Sequence, residues 1–150
     1  MRTASATLWK ARLAAGLLLL AGAAPVAAQE QRSALEGAYA LWGMMEGAAV
    51  FCAQTLPGDF SIPGAHIDWV ARSTPVMDEL EAARELAGEP QYVTMDWIAA
   101  GRDGITGILR QAANPEEACG NWKAETEAGG YDAETFLAQQ LGILRERDGL

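Results

Sequence analysis

The stretch Ala34–Gln54, ALEGAYALWGMMEGAAVFCAQ, decides how the 150-residue chain folds. Leu35, Ala38, Tyr39, Trp42, Met45, Ala49 and Cys52 recur at helical i, i+3/i+4 spacing, and Leu41, Met44, Ala48 and Phe51 form a second stripe beside them. A helix that is apolar over most of its circumference is buried among other helices. Ser33 and Glu36 read as a Ser-x-x-Glu capping box that starts it. Gly43 and Gly47 make a small-x-x-x-small ridge on which a second backbone can approach closely. The same ridge occurs in membrane dimers, but Glu46 stands mid-segment and would cost about 2.5–3.5 kcal/mol in a bilayer.

Cys52 and Cys119 are the only two cysteines. An even pair in an exported chain predicts a disulfide rather than a redox site, which ordinarily needs Cys-x-x-Cys spacing. Closing so long a loop is worth about 4 kcal/mol on chain-entropy grounds. Export follows from the N-terminus. Arg2, Lys10 and Arg12 precede an apolar run from Leu13 to Ala24, and Val26 and Ala28 supply small residues ahead of Gln29. This is the pattern of a signal peptide over 1–28 followed by a single helical domain over 29–150. The uncharged run Leu13–Ala28 falls short of the roughly 20 residues of a spanning helix. The chain carries a net charge of −9, and losing three basic residues with the leader makes it more acidic still. That charge disfavours nucleic acid and anionic membranes and suits a basic partner.

Outward from the central stretch, Pro57, Gly58, Pro63 and Gly64 mark a connector from Leu56 to Gly64, and helical character resumes near Ala65. Ser73-Thr74-Pro75 reads as a helix start with Thr74 as cap, which makes 65–87 either two helices or one kinked at Pro75. Val76, Leu80, Ala83 and Ala87 give its buried side; Asp78, Glu79, Glu81, Arg84 and Glu85 give its wet side. A third segment, Gln91 to Ala113, places Val93, Trp97, Ala100, Gly104, Ile108 and Ala112 on one face, and reads as one helix weakened by Gly101, Gly104 and Gly107, or as two helices split by a turn at Arg102-Asp103-Gly104. Asn114-Pro115-Glu116-Glu117 combines cap, first-turn proline and first-turn acids, and starts a short helix carrying Cys119 and Trp122. Gly129-Gly130 ends it. Asp132 caps a last helix, with Tyr131 and Phe136 as a hydrophobic staple and Phe136, Leu137, Leu141 and Leu144 as its apolar face. No stretch alternates long enough for a strand. The fold expected is therefore all-α, a small irregular bundle of four to six helices stapled by one disulfide.

Function is less legible. His66 is the only histidine and the cysteines are committed to each other, so no zinc or haem set can be assembled and no cofactor is expected. No nucleophile–base pair stands out, and the glycines lack the lysine of a phosphate loop. Ile67-Asp68-Trp69-Val70-Ala71 resembles Met95-Asp96-Trp97-Ile98-Ala99. Either two helices enter one core in the same way, or Trp69 and Trp97 line a quasi-symmetric groove. Trp42, Trp69, Trp97 and Trp122 fall on four successive segments and suit a shared aromatic core. Glu46 is the only charge between Gly37 and Gly58. It needs an arginine partner from Arg72, Arg84, Arg102 and Arg110, a pocket that raises its pKa, or a water-facing flank. The expected function is a non-enzymatic, exported factor that binds another protein, in the manner of an inhibitor, immunity protein or chaperone. A carrier of a small apolar ligand is the alternative, and an enzyme working through carboxylates a third. N-terminal sequencing of exported protein should begin at Gln29; recovery of Met1 in a membrane fraction would contradict the leader.

Overall fold

A computed structural model describes the backbone of residues 5–148 and the side chains of residues 26–147. Among the described residues six helices follow in order: α1 Ser5–Thr55, α2 Ser61–Ala87, α3 Gln91–Gln111, α4 Pro115–Glu127, α5 Ala133–Phe136 and α6 Ala138–Asp148. No strand occurs among the described residues. The first four residues and the side chains of residues 5–25, where the sequence predicts most of a leader, lie outside the described residues. No helix is long and apolar enough, over the described residues, to cross a membrane.

The expected stripe of α1 is buried along its length, from Leu35 through Tyr39, Leu41, Met45 and Ala48 to Cys52. Its start differs from expectation. Ser33 is an exposed residue inside a continuous helix, not a cap, because Glu30, Gln31 and Arg32 ahead of it are good helix formers and Gln31 is itself buried against the bundle.

Gly43 and Gly47 meet α3 backbone to backbone. A Cβ on Gly43 would overlap the carbonyl of Ile98, one on Gly101 would overlap the carbonyl of Ala40, and one on Gly47 would lie 2.9 Å from the carbonyl oxygen of Arg102. This crossing corrects the expected face of α3. Thr94, Trp97, Gly101 and Leu109 are buried, with Ile98 and Ile105 beside them, while Ala100, Gly104 and Ile108 stand outside. The helix is turned so that Gly101, the residue without a side chain, occupies the point of closest approach. The segment is one helix, as expected, ending at Gln111.

α2 is also continuous. It begins at Ser61 instead of near Ala65, because Asp59 accepts from the Ser61 N–H at 3.0 Å and from its hydroxyl, and Pro63 falls in the first turn where its missing N–H costs nothing. Nor does the helix restart at Pro75. Thr74 is no cap, since its hydroxyl donates back to the Val70 carbonyl at 2.9 Å. Ile62, Ala65 and Trp69 before the proline and Val76, Leu80 and Ala83 after it belong to one buried line, and their shared packing holds the helix through the break. α4 starts as its cap signal requires: the Asn114 carboxamide oxygen accepts from the Glu117 N–H at 3.2 Å. The last helix is divided at Leu137 into α5 and α6. Asp132 precedes α5, but its side chain pairs with Arg72 at 2.9 Å rather than capping. Leu137, Leu141 and Leu144 are buried as expected; Phe136 is 47% exposed.

The disulfide joins Cys52 to Cys119 with Cα atoms 5.3 Å apart, and no free cysteine remains. It ties the end of α1 to the second turn of α4. Ion pairs tie the remaining elements. Arg145 reaches from α6 to Glu79 on α2 at 2.6 Å and to Glu134 on α5 at 2.8 Å. Arg84 grips Glu81 through two bonds and donates to the Glu89 carbonyl at 2.6 Å, and the Tyr39 hydroxyl on α1 donates to Glu81 at 3.0 Å. The wet side expected for α2 is thus partly an inter-helix clamp.

The glycines separate by environment. Gly43→Ala and Gly101→Ala should each destabilise by about 1–3 kcal/mol or more through overpacking. Gly104→Ala, with nothing within 4 Å of an added Cβ, should stabilise by about 0.5–1 kcal/mol. Urea melts of the three variants check the contrast.

Candidate functional site

The residues singled out from the sequence are not gathered in one place. Trp69 is fully buried, its ring 4.7 Å from Trp42 and stacked near His66 at 6.1 Å, with Nε1 donating to the Tyr131 carbonyl at 2.6 Å. Trp97 packs against Tyr39 at 6.2 Å, and the Arg32 guanidinium lies 5.9 Å from its ring centre. The two similar pentapeptides therefore present their tryptophans to different turns of α1. They do so in the same register: Ile67 and Met95 are both 65% exposed while the tryptophan two residues on is buried. Glu46 forms an ion pair with Arg102 at 2.6 Å, one of the four arginines proposed. Both side chains are nearly half exposed, so the pair contributes on the order of 0.2–1 kcal/mol.

A cleft forms elsewhere, between α3, α4 and the corner leading to α5, with a volume of about 570 Å³. Ile105, Ile108 and Leu109 supply the α3 wall, Ala118 and Trp122 the α4 wall, and Tyr131 and Phe136 the third. The disulfide builds the second wall. Cys119 and Trp122 lie one turn apart on the same face of α4, so anchoring Cys119 to Cys52 holds the indole against the bundle. Gly129, with φ +83°, reverses the chain after α4 and brings Tyr131 back over it. Tyr131 and Phe136 then touch, with ring centroids 5.9 Å apart, as the staple predicted. Behind the cleft lies a cavity of about 40 Å³ lined by Leu41, Met44, Met45, Ile105, Trp122 and Tyr131. Three of those residues are thus shared by cleft and cavity, with two pliant methionines behind them.

Trp122 is 5% exposed, and its Nε1 is buried without a hydrogen-bond partner. Leaving such a donor unmet costs about 1–3 kcal/mol. Exposed at the same cleft are Ile108, at 66%, and Phe136. Glu125 also lines the cleft, and Glu116, Glu117 and Glu127 stand exposed on α4.

Sequence reasoning missed this site because it assigned Ile108 and Phe136 to buried faces. The available signals were the placement of Trp122 one turn beyond Cys119 and the Tyr131–Phe136 staple. Among the described residues no group of three or more His, Cys, Asp or Glu side chains converges as a metal site. Comparison with family models, curated proteins and solved structures finds no match.

His66, stacked on Trp69, lies outside the cleft lining. Its Nε2 is buried without a partner. Burial depresses its pKa below the ordinary value, opposed in part by the Glu46 carboxylate. A histidine held neutral in the folded state contributes stability above its unfolded pKa of about 6.5, and that contribution is lost as pH falls through the lower folded value. Stability should therefore decline from pH 7 to pH 5, and His66→Leu should flatten that decline. Denaturant melts at pH 7 and pH 5 check it; identical slopes would place His66 outside the linkage.

Proposed function

We propose that the chain is an exported, non-enzymatic binding protein that holds another protein through the cleft between α3, α4 and α5. The observation that carries this reading is the cleft itself. Its walls are mostly apolar, and two large side chains, Ile108 and Phe136, are left in solvent there. Apolar side chains left exposed around a concave site are characteristic of docking surfaces. The partner this chemistry suits offers an apolar or aromatic anchor flanked by basic residues. The anchor would fill the cleft, and the basic flanks would meet Glu125 and the exposed acids of α4. Export is supported by the leader pattern at 1–28 and by the disulfide, which persists in oxidising compartments. Inhibitor, immunity and chaperone-like roles all work by this kind of anchored docking.

A small apolar ligand is the second reading, favoured by a volume inside the range of about 300–1,000 Å³ typical of small-molecule sites. Native mass spectrometry of protein purified from its own host, paired with Ile108→Glu, separates the two. An exposed residue is changed, so the fold should persist. The expected result is a second protein at fixed stoichiometry with the wild type, lost from the variant. A bound small molecule lost from the variant would favour the carrier. Binding unchanged by Ile108→Glu would remove the cleft from the function.

A further inference from the structure

A smaller hollow lies on the α1–α3 seam, away from the cleft, with a volume of about 90 Å³. Arg102, Thr106 and Arg110 on α3 face Val50, Phe51 and Gln54 on α1 across it. The three α3 residues are spaced four apart and share one helix face. The concentration of positive charge is unusual for this chain, which holds 11 basic residues against 20 acidic ones. Arg102 is partnered by Glu46, whereas Arg110 has no ion pair or hydrogen bond among the described residues. The dipole of α3 favours a cation in its last turn. It does not account for that cation lining one concavity with a second arginine, a hydroxyl and a carboxamide.

The balance of charge selects the ligand. Two guanidinium groups and the Glu46 carboxylate leave one net positive charge, which matches a monoanion; a dianion would meet the repulsion of Glu46. About 30 Å³ per water molecule makes the hollow large enough for a group of three or four heavy atoms. Guanidinium groups bind carboxylates through paired N–H donors. Val50, 53% exposed, and Phe51 offer an apolar wall for the adjoining carbon chain. We infer that this hollow binds a carboxylate group, carried by a small aliphatic acid or by the free C-terminus of a peptide. Arg102 and Arg110 hold the two oxygens, and Thr106 and Gln54 donate to them. The site is separate from the cleft and does not depend on it.

The test is a titration of the full, disulfide-bonded chain, labelled with ¹⁵N, followed by amide shifts. Butyrate should give saturable shifts at Gly47, Gln54, Thr106 and Gly107, and butyramide should not. Arg110→Gln, an exposed change, should weaken butyrate at least about tenfold, and Thr106→Val should weaken it less. An acetylated dipeptide ending in a free carboxylate, compared with its amide, identifies the source: tighter binding than butyrate assigns a peptide C-terminus, weaker binding a free acid. Shifts that fail to saturate, that chloride reproduces, that survive Arg110→Gln, or that inorganic phosphate elicits at lower concentration than butyrate would overturn the inference.

Discussion

The backbone contact between α1 and α3 is the constraint on which the rest of the molecule depends. Gly43 and Gly47 on one helix and Gly101 on the other bring main chains closer than any side chain allows. Approach at that distance fixes the rotation of both helices, since a Cβ at Gly43 or Gly101 would overlap the facing main chain. The rotation of α3 then directs Trp97 and Leu109 inward and leaves Ile108 at the surface. Three glycines that weaken a helix in isolation therefore play two different roles. Gly101 is required by the crossing, while Gly104 and Gly107 meet nothing within 4 Å.

Around this seam the other elements are held by bonds of different kinds. The disulfide sets α4 against the end of α1 and, through the turn from Cys119 to Trp122, sets one wall of the cleft. Arg72 and Arg145 fasten the C-terminal corner, the first to Asp132 and the Thr126 carbonyl, the second to Glu79 and Glu134. The Arg145 guanidinium holds Glu134 below its ordinary pKa. Apart from Glu79, the paired side chains are a third or more exposed, so their value lies more in fixing geometry than in net stability. Tyr39 is different: burial, together with the Glu81 carboxylate, pushes its phenol well above the usual range and keeps it a donor.

Much of the architecture was legible because it rests on local rules. The periodicity of Leu35 to Cys52 marks a buried helix, Asn114-Pro115-Glu116-Glu117 marks a start, and the paired cysteines mark a cross-link. Where local rules failed, a competing tertiary term overrode them. Ser33 and Thr74 have the chemistry of caps, but each lies inside a continuous helix. Pro75 interrupts a hydrogen bond without interrupting α2, because Trp69 and Val76 are buried in the same core. Phe136 has the spacing of a core residue, yet the break at Leu137 directs it outward.

By itself the sequence determined the helical class, the cross-link between Cys52 and Cys119, the acidic character of the surface and most helix boundaries. Those properties follow from hydrophobic period, capping chemistry and composition, each readable within a few turns of chain. Tertiary structure alone decided which face of α3 is buried, which of four arginines pairs with Glu46, and where apolar residues remain uncovered. The cleft and the arginine-lined hollow both arise from residues distant in sequence, brought together by a helix crossing whose angle and depth depend on atoms that glycine lacks. Such placement is a property of the packed pair of helices, and no single stretch of the chain encodes it.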